Sequence, residues 1–221
     1  YEMQRSLVGS EMCIRDSDMI TDENLKKYLP KYLSEENYRN LLSELKSFPD
    51  NIDARMYTSF LNNDILYQGD GIDNMPIIDL AKGSKDIKLV SALILSNTCD
   101  MDLSNIRMFP SSIMYAPIIK LSNYQSVLNQ HCSDTDKVNN HISNLKQQKI
   151  TQIMYLPATG KMEESLVFLD RVYNIDNKYI NRSNLKDIRF FSFSDYGFYL
   201  FVFKLSVHFS RIQEKVNRGM Y

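Results

Sequence analysis

The stretch Leu89-Val90-Ser91-Ala92-Leu93-Ile94-Leu95-Ser96-Asn97-Thr98-Cys99-Asp100 decides the fold. Residues 89–95 are apolar apart from Ser91, a run of strand length that ends abruptly in a polar cluster. Such a run predicts a strand buried on both faces, in the middle of a sheet. The strand carries Ser96-Asn97-Thr98-Cys99-Asp100 out of the core, so that tip is the leading candidate for a site.

On the N-terminal side, Asp64-Ile65-Leu66-Tyr67 and Met75-Pro76-Ile77-Ile78-Asp79-Leu80 flank Gln68-Gly69-Asp70-Gly71. Two apolar runs around a glycine-punctuated tetrapeptide read as strand, turn, strand. No Lys-Ser/Thr pair and no helix follow the glycines, so the turn reading prevails over a phosphate-cradling loop. On the C-terminal side, Ile113-Met114-Tyr115-Ala116-Pro117-Ile118-Ile119 reads as a neighbouring strand, and its proline implies an edge or a bulge. Asp134 caps a surface helix with Val138, Ile142 and Leu145 on one face. Residues 150–156 and 166–172 are two further strands, joined by a turn containing Thr159-Gly160-Lys161, and Phe190-Phe191-Ser192-Phe193 is the last. Ser194-Asp195 opens a C-terminal helix whose apolar face is Phe198, Phe201, Val202, Leu205, Phe209, Ile212 and Val216. Arg211, Lys215 and Arg218 gather towards its end, where the helix dipole favours cations.

Residues 18–63 are expected to form an N-terminal helical segment. Thr21 and Asp22 cap a short helix limited by Pro30, and Ser34 with Glu35 and Glu36 starts a longer one carrying Tyr38, Leu41, Leu42, Leu45 and Phe48 up to Pro49. Residues 6–16 resemble the in-frame translation of a sequencing adapter, the kind of scar left by assembly from bulk environmental reads. Residues 1–17 are therefore read as an artefact rather than native structure, and the native start is expected elsewhere.

The chain has 26 basic and 27 acidic residues among 221, with 43% hydrophobic and 24% charged residues. These are values of an ordinary folded domain, and the charge balance argues against a dedicated nucleic-acid coat. Distribution is less even: residues 178–221 carry eight bases against three acids, so the C-terminal end is the basic pole. Outside the adapter-like segment only Cys99 and Cys132 remain, too few for a disulfide framework and wrongly spaced for structural zinc. A reducing, cytoplasmic location is the expectation. The apolar run at residues 198–203 is far too short to cross a bilayer, so no membrane association is expected.

Cys99 and Asp100 are the candidate catalytic residues. A thiolate at Cys99 would need a histidine or helix terminus beside it, with Asp100 or Asp102 orienting the base, and His131, His141 and His208 are the only histidines. The competing reading makes Cys99 a small apolar residue at a strand end and Asp100 an acceptor of turn amides. Asn97, Thr98 and Asp102 complete the candidate binding rim, with Arg211, Lys215 and Arg218 as a second surface for nucleic acid. Asp100 and Asp102 alternate as ligands of a hard cation would, yet no further ligands accompany them, so neither metal nor cofactor is assigned.

The combination of Ser96-Asn97-Thr98-Cys99-Asp100, Tyr115-Ala116-Pro117-Ile118 and Lys204-Leu205-Ser206-Val207-His208-Phe209-Ser210-Arg211 resembles a bacterial and phage family with a Ser-x-Thr-Cys-Asp core motif, to which no activity is attached. That resemblance covers residues 64–218. Gly69-Asp70, Ala92-Leu93-Ile94-Leu95-Ser96-Asn97 and Ala116-Pro117-Ile118 are similar to the start of the MazF/PemK toxin barrels over about a quarter of the chain. The second resemblance implies a small bent β-barrel and, in active members, RNA cleavage by an Arg before the central strand and a Thr or Ser after the Pro-Ile. Val90 and Ser91 stand in the Arg-Pro place here, and Ile119-Lys120 follows Pro117-Ile118, so the barrel carries over and the nuclease chemistry does not.

The expectation is an α+β protein: a bent, mostly antiparallel sheet or partial small β-barrel within residues 64–221, preceded by helices and closed by an amphipathic C-terminal helix. The expected function is a non-enzymatic interaction module with a protein partner, of toxin–antitoxin or defence context by resemblance. The alternative is a hydrolase or nuclease using Cys99 or Asp100.

Overall fold

A computed structural model describes residues 55–78 and 86–210. The adapter-like residues 1–17, the expected helices up to residue 54 and the basic trio Arg211, Lys215 and Arg218 lie outside the described residues. Residues 55–63, expected to end the helical segment, form turns and the short strand β1 (Tyr57–Thr58) instead.

The protein is α+β. After β1 come β2 (Gly71–Ile78), β3 (Ile87–Ile94), the single-turn helix α1 (Thr98–Met101), β4 (Ser112–Lys120), α2 (Leu121–His131) and α3 (Thr135–Lys146). Then follow β5 (Ile153–Leu156), β6 (Ser165–Phe168), β7 (Tyr173–Asp176), the short α4 (Leu185–Ile188), β8 (Arg189–Phe193) and α5 (Asp195–Ser210). Among the described residues eight strands make one antiparallel sheet in the order β1-β8-β2-β3-β4-β6-β5, with β7 also on β4. It is bent and does not close, so the barrel remains partial.

Three apolar clusters hold the sheet. Leu93, Ala116, Val167, Phe191 and Phe193 receive α5 through Leu200 and Phe201 on one face. Ile72, Met75, Ala92, Ile94 and Tyr115 gather with Met101 of α1 and Leu185 of α4. The third cluster packs α2 and α3 on the β5–β6 end through Leu121, Tyr124, Leu128, Val138 and Leu145. Asp134 caps α3 as expected, its carboxylate accepting from the Lys137 amide. Beneath it the Tyr124 hydroxyl lies 2.9 Å from His141 Nε2, and burial pushes the imidazole below its usual value.

Four expectations change. The apolar run at residue 89 is not buried throughout: Leu89 is 59% exposed, because β4 pairs with β3 only at Ala92, Leu93 and Ile94 and the outer half of the β2–β3 hairpin projects beyond. Residues 64–67 form turns rather than a strand, and the strand starts at Gly71. Pro117 lies inside β4, opposite Ala92, where β4 changes partner on its other side from β7 (through Tyr115) to β6 (from Ile118). Its missing N–H thus falls at a break in the ladder, which is how an interior strand accommodates proline.

The buried side of α5 is broader than the expected face: Phe201 is buried and Phe198, Val202 and Leu205 pack against the first cluster as expected, but the contact extends further round the helix and leaves Phe209 out. Leu200, Phe201, Phe203, Lys204 and Val207 are buried while Phe209 is 64% exposed. This helix is apolar on almost every side, so periodicity alone cannot select its face. Two contacts do. Gly197 comes so close to the backbone just before β1 that a Cβ there would lie 2.2 Å from the Met56 carbonyl oxygen. Lys204, fully buried, donates to the carbonyls of Gln148 (3.1 Å) and Ile150 (2.7 Å). Burial without a carboxylate pushes its ammonium down to about 7. Gln148 is itself fixed: its backbone has φ +56, and its side-chain amide donates to Tyr155 O and accepts from Tyr155 N. Helix α2 was not expected from the sequence: it has no side-chain cap at Lys120, and its buried Leu121, Tyr124, Val127 and Leu128 stand among polar residues. Its i, i+3, i+7 spacing was the available signal.

Candidate functional site

The polar tip at the end of β3 is built as wiring, residue by residue. Ser96 Oγ accepts from the Met114 amide at 2.7 Å and ties the end of β3 to β4. Asn97 is the N-cap of α1, its side chain accepting from the Cys99 amide at 2.9 Å. Thr98 Oγ1 accepts from the Gln68 amide at 3.0 Å, and the Gln68 side chain donates to Leu95 O. The turn before β2 is thereby fastened to the tip. Cys99 has an exposed thiol, and its carbonyl accepts from Asn105 Nδ2 at 2.8 Å. Asp100 takes Arg107 Nη2 at 2.7 Å in an ion pair open to solvent. Met101, under α1, is buried, and its carbonyl accepts from Asn177 Nδ2 and Arg182 Nη2, each at 3.0 Å. Asp102 accepts from the Ser104 amide, which holds its carboxyl below the usual carboxylate range.

The structure therefore brings Asn97, Thr98, Cys99, Asp100 and Asp102 together around one turn of helix. The histidines lie on other elements: His131 and His141 on α2 and α3, His208 on α5. Among the described residues no three His, Cys, Asp or Glu side chains converge as a metal site would require. The motif positions a loop, residues 102–111, which holds large apolar side chains in solvent among its polar ones: Ile106 is 100%, Met108 91% and Phe109 78% exposed.

One cluster escaped sequence reasoning. Asp70, in the turn that Gln68 fastens to Thr98, is fully buried. It accepts from the Tyr67 amide (2.9 Å), Ser192 Oγ (2.5 Å) and Arg189 Nη1 (3.1 Å). Arg189 also donates to Ile65 O and Asn62 O, both at 2.8 Å. Desolvation raises the Asp70 carboxyl above its ordinary value despite these donors. The glycine-flanked aspartate was visible, but its partners lie about 120 residues away, and nothing local in Arg189-Phe190-Phe191-Ser192 announces them.

No protein-family model matches this chain, and no curated protein matches it in sequence.

The wiring separates two roles by stability. Asp100→Ala removes an exposed ion pair and should change unfolding free energy by less than about 1 kcal/mol. Asn97→Ala removes the cap of α1 and should cost about 1–2 kcal/mol. Urea denaturation of both variants checks this; a loss above 2 kcal/mol for Asp100→Ala would mean that the ion pair, and not the cap, secures the tip.

Proposed function

We propose that the protein is a non-enzymatic interaction module whose partner is another protein, docked on the loop that follows α1. The observation that carries this reading is the exposure of Leu103, Ile106, Met108 and Phe109 on one short loop whose base is tied down by Asn97, Asp100–Arg107 and the Met101 carbonyl. Scattered apolar residues on a surface need no explanation, but four large exposed ones within seven residues on an anchored loop are a concentration of the kind that binding covers. Side chains of this size seated in a partner's apolar groove act as hot spots. Placement in a bacterial or phage locus of toxin–antitoxin or defence type rests on the resemblance of the Ser-x-Thr-Cys-Asp motif.

The test is a double substitution, Ile106→Asp with Phe109→Asp. Both side chains are in solvent, so folding stability should stay within about 0.5 kcal/mol of the parent. Binding of the purified partner should weaken at least about 100-fold, as loss of two hot spots implies. Unchanged affinity would sink the docking role of the loop, and a hydrolytic activity abolished by Cys99→Ser would replace the module reading with the enzymatic one.

A further inference from the structure

A second feature of the fold, independent of the apolar loop, is an open cleft of about 510 Å³ that lies across the sheet. Phe190, Asp73, Ser91 and Ile118 line it from β8, β2, β3 and β4, which are consecutive strands, and the β5–β6 hairpin contributes Lys161. Three strand spacings of about 4.8 Å give this floor a breadth of roughly 14 Å. That breadth and volume suit a ligand larger than a bare anion.

Asp73 is placed there at a cost in backbone regularity. The β2–β3 register shifts between Ile72 and Met75, and Asn74, a non-glycine residue, has φ +62. A bulge re-aims side chains, and asparagine is among the few non-glycine residues that adopt the left-handed backbone such an irregularity uses. Ser91 Oγ donates to Asp73 Oδ1 at 2.5 Å, which orients the carboxylate. The cleft's cations divide: Lys120 is paired with Glu163 at 2.7 Å, whereas Lys161 has no ion pair among the described residues. Lys161 and Phe190 also line the adjoining cleft of about 270 Å³, together with Lys186.

We propose that this cleft binds a phosphorylated sugar, with vicinal ring hydroxyls donating to the Asp73 carboxylate, the ring or its substituent against Phe190, and the phosphate on Lys161. An oriented carboxylate is a receptor for sugar hydroxyls, an unpaired lysine for phosphate, and an aromatic ring for the flat face of a sugar or base. A nucleotide and a free sugar phosphate share this chemistry, and the measurement distinguishes them.

The full chain is titrated calorimetrically with ribose 5-phosphate, the four ribonucleoside 5′-monophosphates, 2-deoxyribose 5-phosphate and inorganic phosphate. Saturable binding of ribose 5-phosphate or a ribonucleotide is expected, at least tenfold tighter than inorganic phosphate and tighter than the deoxy sugar. Tighter binding of a nucleotide than of ribose 5-phosphate assigns the adjoining Phe190 side to a base, and equal binding assigns the site to the sugar phosphate alone. Asp73→Asn, which keeps the side-chain size, and Lys161→Gln, on an exposed hairpin, should each weaken binding at least tenfold while leaving the melting temperature unchanged. Absence of saturable binding by every compound at millimolar concentration overturns the proposal. So does binding no tighter than that of inorganic phosphate, or binding that survives both substitutions.

Discussion

Arg189→Met should cost about 3–5 kcal/mol of folding stability, because it strands a buried charge. Asp70 is fully buried and Arg189 is its only ion-pair partner among the described residues. The same guanidinium satisfies Ile65 O and Asn62 O, so its loss also opens the turn leading to β2. Removing the charge on the other side tests the cause. In the double variant Asp70→Asn with Arg189→Met, at least half of the loss should return, since an amide can still accept from Ser192 and Tyr67 without needing a cation. The pH dependence has a definite sign. Asp70 is raised above its unfolded value of 3.8, so ionising it within the fold is what costs stability, and the deficit of the single variant should narrow as pH falls towards that value. Urea midpoints for parent, single and double variants at pH 7 and pH 5 decide the matter. A single-variant loss under 1 kcal/mol would show that Asp70 is not held by charge.

The second large effect belongs to Lys204. Its ammonium is pushed down to about 7 within the fold, against 10.5 for an ordinary lysine. Between these values the unfolded chain holds a proton that the folded chain has released. More protons on the unfolded side means that stability rises with pH, by about 1.4 kcal/mol per unit where the difference is one full proton. The window closes towards the ordinary tyrosine value of 10.0: Tyr115 and Tyr124 are raised by burial, so unfolded tyrosine ionises first and stability falls again. From pH 7 to 9 the parent should therefore gain on the order of 2–3 kcal/mol, and Lys204→Met should remove that gain. Parallel pH curves for the two proteins would refute the buried, deprotonating lysine.

Both predictions concern contacts that join distant parts of the chain, and this marks the limit of what residue order reveals. The α+β class, most of the strands, the Asp134 cap and the start of α5 were legible in local chemistry: apolar runs of strand length, a capping carboxylate, Ser194 before an aromatic-rich run. These signals work because backbone hydrogen bonding and side-chain period are set within a few residues. The Ser96–Asp100 tip was legible as a place and not as a role, since Asn97 as a cap and Cys99 as a nucleophile look alike until their neighbours are present.

Tertiary structure alone decided the rest. That β3 is buried only at its inner end follows from where β4 leaves it. Pro117 is tolerated because two partners meet beside it, and Lys204 is buried because two carbonyls across the fold accept its protons. The Asp73 cleft exists because β8, from near the end of the described chain, lies beside the successive strands β2, β3 and β4 and brings Phe190 to the face that carries Asp73, Ser91 and Ile118. Local sequence sets which element forms; the energy of burial and of paired charge, shared between residues more than a hundred positions apart, sets which faces meet and therefore where the protein can bind.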